Sequence, residues 1–192
     1  MISTKHYKAI LHRYEQRLVQ QQELLITRFH NDLLYISSEI LDKIQTRTPF
    51  YRFQFALGKQ NDLLLVACYG DDPALTKTKT ITSQDLTTDV YSVRENYERY
   101  LQLFLTLQPN WIAHIDDIQI ADMHVNKGYG SAAWILTESV LKKFHYHNVI
   151  GWLLPTDRDH RNRQVYFYQK LGFTVALKND EGSIQKSLDM SS

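Results

Sequence analysis

The 192-residue chain contains a single cysteine, Cys68. One thiol excludes an internal disulfide and a cysteine-based zinc site. Cys68 lies in the apolar run 63–68, where a cysteine is ordinarily core. Neither proline nor glycine occurs before Pro49, so nothing punctuates the first quarter. No apolar run approaches the roughly 18 residues that span a bilayer. Residues 1–17 are polar and mixed in charge, without an apolar segment of signal-peptide length, and the expected location is cytoplasmic. Charge of one sign is also missing: 22 Lys and Arg stand against 21 Asp and Glu, a net charge of +1. Without a strong field, neither nucleic acid nor a membrane surface is expected as the main partner. With 43% hydrophobic and 22% charged residues, the composition is that of an ordinary globular protein with one buried core. There is no internal repeat and no low-complexity tract.

Apolar residues in the first quarter fall at Tyr7, Leu11, Tyr14, Leu18, Leu25, Phe29, Leu33, Ile36, Ile40 and Ile44. Steps of three and four, with one double step across Gln21–Gln22, predict helix. It is either one long helix or two, broken near His30–Asp32, and Thr48-Pro49 ends it. A continuous helix would overhang a single small domain, and a second copy of the chain, making a homodimer, is the simplest cover. Two shorter helices would instead fold back over the sheet. The expected organisation is thus a helical segment over 1–48 and a domain over 49–192.

Strands are expected over 50–57, where aromatic and polar residues alternate, and over 63–69, which is apolar throughout as a strand buried on both faces would be. Residues 58–62 read as a hairpin loop, and 74–90 as a loop or short exposed strand. Ser92 with Glu95 three residues later predicts a capped helix over 92–107, closed by Pro109. Beyond it come a strand over 111–120, a glycine turn and helix over 128–144, a strand over 149–154, a helix over 159–171 with Gly172 as its C-cap, and closing strands over 173–177 and 183–188. This order is that of an α/β (α+β) fold, a mixed central sheet flanked by helices with a helical N-terminal extension.

The turn Asn126-Lys127-Gly128-Tyr129-Gly130-Ser131 follows a strand and opens a helix. A helix N-terminus carries unpaired N–H groups and partial positive charge. Glycine removes the Cβ that would hold a phosphate away, and Lys127 can add a point charge. The alternative is a turn that merely needs unusual dihedrals. It is not a P-loop, since no G-x-x-x-x-G-K-S/T occurs, nor a dinucleotide fingerprint, since Ala133 stands where the third glycine would.

About forty residues on, Tyr166-Phe167-Tyr168-Gln169-Lys170-Leu171-Gly172-Phe173 reads by itself as a capped helix end with core-facing aromatics. Together the two motifs resemble the GNAT (N-acetyltransferase) superfamily. Its cofactor motif, Arg/Gln-x-x-Gly-x-Gly/Ala, is similar to Val125–Gly130, after a strand ending at Ile118-Gln119-Ile120. Its later signature, near Asn-x-x-Ala-x-x-Phe-Tyr-x-Lys-x-Gly-Phe, resembles 161–173. Val125 stands where the family has Arg or Gln, and Asn162 is one residue later than the family's Asn, a place held here by Arg161.

The resemblance implies a GNAT fold and acetyl-CoA as cosubstrate. The cosubstrate would lie between the strands 111–120 and 149–154, its pantetheine held by backbone groups of Ile118, Gln119 and Ile120. A backbone N–H there would stabilise the oxyanion. Its diphosphate would lie on Asn126, Lys127, Gly128, Tyr129, Gly130 and Ser131, with Val125 and Asn162 at the remaining family positions. It further implies direct attack of a small-molecule or protein amine on the thioester, with Tyr168 protonating the thiolate. For the base, His114 and Asp116 alternate onto one strand face and Asp117 onto the other. His145 and His147 lack the acidic or cysteine neighbours that would complete a metal site, so no metal is expected. The competing readings are a GNAT-fold module that binds acyl-CoA without turnover, and an interaction protein whose N-terminal helix is the functional part. The acceptor is not indicated.

Overall fold

A computed structural model describes residues 50–59, 61–71, 83–95, 98–154, 160–179 and 181–188. The expectations for residues 1–49, including the boundary at 48/49, the helical course and the dimer built on it, lie outside these residues. Eight strands form one sheet in the order β1-β2-β3-β4-β5-β6-β8-β7. They are β1 (Phe50–Leu57), β2 (Leu63–Gly70), β3 (Gln84–Ser92), β4 (Arg99–Gln108), β5 (Ile112–Ile120), β6 (Asn148–Leu153), β7 (Thr174–Lys178) and β8 (Glu181–Ser187). Two helices, α1 (Tyr129–Lys143) and α2 (Arg161–Lys170), follow β5 and β6. Every neighbouring pair is antiparallel except β5 with β6.

The run Leu63–Cys68 is buried throughout, on both faces of β2. On one face Leu64, Val66 and Cys68 join Leu86 and Val90 of β3, the even-spaced leucines of β4, and Ala132, Ala133, Leu136 and Val140 of α1. Inside this core Thr88 and Thr137 share a 2.7 Å hydrogen bond that ties β3 to α1. Burial pushes the Cys68 thiol up to about 12, so it stays protonated and serves as core.

Two expectations are corrected. Residues 92–107 are not a helix: β3 runs on to Ser92 and β4 occupies Arg99–Gln108. The hydroxyl of Ser92 does accept the N–H groups of Arg94 and Glu95, each at 3.3 Å, but it closes a turn between two strands. What decides the segment is the period of two at Leu101, Leu103, Leu105 and Leu107, all buried, with half-buried Gln102, Phe104, Thr106 and Gln108 between them. Within 74–90, expected as a loop or short exposed strand, residues 84–90 belong to a largely buried strand that runs on to Ser92. Pro109 and Asn110 lead into Trp111, whose φ of 61° closes the β4–β5 hairpin with its N–H on the Gln108 carbonyl. Gly172, at φ 85°, ends α2 as expected: its N–H reaches the Gln169 carbonyl and that of Phe173 the Tyr168 carbonyl.

Candidate functional site

The one parallel pair in the sheet is short. β5 and β6 are in register from Ile112 with Asn148 to Ile115 with Gly151, and there the ladder stops. β5 continues to Ile120 and β6 to Leu153. A gap therefore opens between adjacent strands, and the backbone groups of β5 beyond Ile115 that face β6 have no strand partner. An extended ligand can pair with them as an added strand would. The gap begins at a bulge. On β4, Phe104 is opposite Asp117 while Leu105 is opposite Ile115, so Asp116 is the extra residue. Before the bulge Ala113 and Ile115 face the core. After it the facing set shifts by one, to Ile118 and Ile120, which pack against the same core, and Asp116, Asp117 and Gln119 are exposed. At the far end of β5 an open groove of about 450 Å³ is lined by Arg99, Tyr100, Gln102, Ile118, Gln119 and Ile120.

The glycine turn lies just past this end of β5. A short 3-10 turn, Asp122–His124, leads into it. Asn126 and Gly128 both take positive φ, 64° and 92°. The first bond inside α1 is from the Ala132 N–H to the Gly128 carbonyl. The N–H groups of Tyr129, Gly130 and Ser131 precede it and have no acceptor within the helix. The turn is anchored from outside: the Lys59 N–H donates to the Lys127 carbonyl at 2.9 Å, and the Tyr129 hydroxyl donates to Asp62 at 3.1 Å. Below it His124 stacks on Tyr100 with centroids 3.9 Å apart, and Tyr100 on Tyr129 at 5.1 Å. The two glycines have different reasons. A Cβ on Gly128 would meet nothing nearer than the Lys59 side chain at 3.5 Å, so it is the dihedral that favours glycine there. A Cβ on Gly130 would fall 2.6 Å from the Phe167 ring, so Gly130 is required by the packing of α1 against α2. A larger side chain at Gly130 would thus disturb the packing of α1 on α2 as well as the approach of a phosphate.

On α2 the positions Arg161, Val165 and Tyr168 fall on one stripe. Tyr168 is buried, packs edge-on against Phe167 and Phe173, and lines a small crevice with Ile115, Ile118, Ala133 and Trp134. The second motif is thereby brought against β5 where the gap opens. Arg161 reaches back to the carbonyls of Leu153 and Leu154, at 3.3 and 2.7 Å, and so holds the end of β6. Asn162 is exposed and lies off the Tyr168 stripe. Lys186 of β8 clamps the far end of α2, donating to the Leu171 carbonyl and to Glu138, each at 2.7 Å.

On the opposite face of β5, His114 Nδ1 and Asp116 Oδ1 are 2.7 Å apart, and Thr106 donates to Asp116 Oδ2 at 2.8 Å. An ionised carboxylate can only accept, so His114 carries a proton on Nδ1, and in the neutral ring Nε2 is then an acceptor. Asp117 accepts from Gln119 at 3.0 Å. The bulge puts it on this face too, not on the other as strict alternation predicts. His114 and Asp116 were legible as candidates. Thr106, Lys59 and the Phe167 requirement on Gly130 were not, because each contact is made by a residue remote in sequence. Among the described residues no group of three or more His, Cys, Asp or Glu is placed to hold a metal ion, and no helix is long and apolar enough to cross a membrane.

No family model matches the chain, and no curated protein matches it in sequence. Solved structures match its shape. The GNAT domain of S. lividans PAT aligns with a TM-score of 0.52 at 10% identity, over 71% of this chain and 97% of that domain. An acetyltransferase from Bacillus cereus aligns at 0.47 and 17% identity, over 58% of this chain and 79% of that one. The ribosomal-protein-S18-alanine N-acetyltransferase from Escherichia coli aligns at 0.44 and 15%, over 62% and 76%. The first match carries the assignment: the chain has the GNAT fold, with a mixed eight-stranded sheet and two described helices.

Proposed function

We propose that this GNAT-fold chain transfers an acetyl group from acetyl-CoA to an amine by direct attack. The observation that carries the reading is the gap between β5 and β6, which opens after Ile115 and Gly151 between a glycine-bearing helix N-terminus and the buried Tyr168. Bound acetyl-CoA would supply an activated acyl carbon and a thiolate leaving group. The residues present fit it: the N–H groups of Tyr129, Gly130 and Ser131 are free of helix partners and suit a diphosphate. Lys127 and Lys59 flank them, and the unpaired edge of β5 up to Ile120 suits the amides of pantetheine.

The two faces of the sheet divide the proton chemistry. His114 and Asp116 stand on one face of β5 and the core-facing Tyr168 on the other, beside the point where the β5–β6 ladder stops. On the first face His114 Nε2 takes the proton of the attacking amine, while Asp116 fixes the ring and stabilises its charge. A backbone N–H of β5 past the bulge receives the developing oxyanion. On the second face Tyr168 gives its proton to the departing sulfur. The chain's own contribution is thus placement and two proton transfers.

Calorimetry with acetyl-CoA and thiol release with a panel of amines test this. Tyr168→Phe is expected to keep acetyl-CoA affinity and to lower kcat by about 10²-fold or more. A chain that binds acetyl-CoA and releases no thiol with any amine would support the non-catalytic acyl-CoA module instead.

A further inference from the structure

The face of the sheet that carries His114 and Asp116 also carries a large exposed aromatic. Trp152 is 66% exposed, whereas Trp134 is 3% exposed in the core. Along β6, Val149, Gly151 and Leu153 turn inward and are buried, so Trp152 turns outward, with Ile150 on the same side. His114 is in register with Ile150. Two residues further along each strand, Asp116 and Trp152 stand on opposite sides of the gap. Strands lie roughly 5 Å apart and two residues advance about 7 Å, so a molecule the size of a small amine spans this mouth. One wall is acidic, with Asp116 and Asp117 both exposed. The other is apolar and aromatic. Among the described residues of this face on β5, β6 and β8, and on β4 from Gln102 to Gln108, there is no Lys or Arg.

From this juxtaposition we infer that the face selects a primary amine carried on a ring-bearing arm with no carboxylate beside the nitrogen, the ring packing on Trp152 and the nitrogen directed to His114 and Asp116. An ammonium group is drawn to two carboxylates at the mouth, and an α-carboxylate is repelled by them with no Lys or Arg among those described residues to receive it. An indole face adds area and directional packing for a ring that it cannot give to a short alkyl chain. This rests on the acetyltransferase reading above and adds the acceptor class to it.

The test uses the full chain with acetyl-CoA and thiol detection, with 2-phenylethylamine, propylamine and phenylalanine as probes. The expected order of kcat/KM has 2-phenylethylamine first, with each of the others lower by roughly tenfold or more, the size of one aromatic contact or one charge repulsion. Trp152→Ala is expected to raise KM for 2-phenylethylamine about tenfold, to the level of propylamine, with the change in KM and not in kcat, and Trp152→Phe to restore most of it. Acetyl-CoA affinity by calorimetry is expected to be the same in both variants. Phenylalanine as good as 2-phenylethylamine, or Trp152→Ala with unchanged KM for 2-phenylethylamine, overturns the inference. So does a Trp152→Ala variant with that same KM whose light scattering shows a dimer become a monomer, since Trp152 would then be an interface residue. Failure to bind acetyl-CoA would remove the acetyltransferase reading itself. Binding with equal turnover of propylamine and 2-phenylethylamine would remove only the amine class.

Discussion

Asp89 and Asp116 stand on one face of the sheet, on β3 and β5, and each accepts two side-chain hydrogen bonds. The Asp89 side chain is 1% exposed and takes the hydroxyls of Tyr69 and Tyr91 at 2.8 and 2.7 Å, with Arg99 at 3.8 Å. Burial pushes its carboxyl above the usual range, only partly offset by Tyr91, Tyr69 and Arg99. Burial and the nearby Asp89 likewise push both phenols up. The Asp116 side chain is 41% exposed and takes Thr106 and His114. Two similar sets of bonds therefore do different things. The first joins β2, β3 and β4 around a carboxylate that solvent does not reach, and its charge is costly there. The second orients an imidazole that solvent and a ligand can reach, and its charge costs little.

The sharpest way to break this comparison is at His114. His114→Ala is expected to lower kcat/KM by about 10³-fold while the unfolding midpoint in urea hardly moves. An equal loss of stability and activity would show that the pair is structural. Next in size is Asp89→Ala, expected to cost about 3 kcal/mol of stability, as loss of one partner from a buried charged cluster does. The folded fraction should keep the wild-type kcat, and a large fall in kcat at full folding would place Asp89 in the chemistry. Asp116→Asn comes third. It keeps the size but loses the charge that steadies His114, so kcat is expected to fall about 10²-fold and stability to change by less than about 1 kcal/mol.

The smallest effect is a pH dependence. Because the folded carboxyl of Asp89 lies above its unfolded value, its contribution favours folding below the unfolded value, near pH 4, and that advantage is lost as pH rises toward the folded value. Asp89→Asn removes this loss, so the variant should gain stability relative to wild type as pH rises from about 4 toward the folded value. Glu138 runs the other way. Burial raises its carboxyl, but Lys186 and Lys142 outweigh burial and leave it below the usual range. Its contribution is present above the unfolded value and is lost as pH falls through the folded one. Lys186→Met should therefore flatten the acid limb of the urea-stability profile and leave the Asp89 limb intact.

Where a segment's own residues settle its structure, reading and structure agree. The apolar run of β2 is buried on both faces, and β5, α1, β6 and α2 lie within a few residues of where period, turn and cap signals put them. The glycine turn and the Tyr168 motif were legible for the same reason: backbone dihedral demands and caps are local. The burial of β3 was missed, the segment being read as a loop or short exposed strand, because partners remote in sequence help satisfy its polar residues, Thr137 for Thr88 and Tyr69 for Asp89. β4 was mistaken for a helix because the Ser92 cap is a local bond that serves a turn as well as a helix.

Sequence alone thus determined the α/β (α+β) order from residue 111 onward, the helix N-terminus at Gly128, and the pairing of His114 with Asp116 on one strand face, since each follows from contacts within a few residues. Only the tertiary structure decided that Asp117 joins them, because the bulge at Asp116 is defined by its register with Phe104 and Leu105 of another strand. It also decided that Gly130 answers to Phe167, and that Trp152 faces the dyad across a gap. These depend on which strand stops pairing with which, and that is set by the competition of non-local hydrogen bonds and packing over the whole sheet.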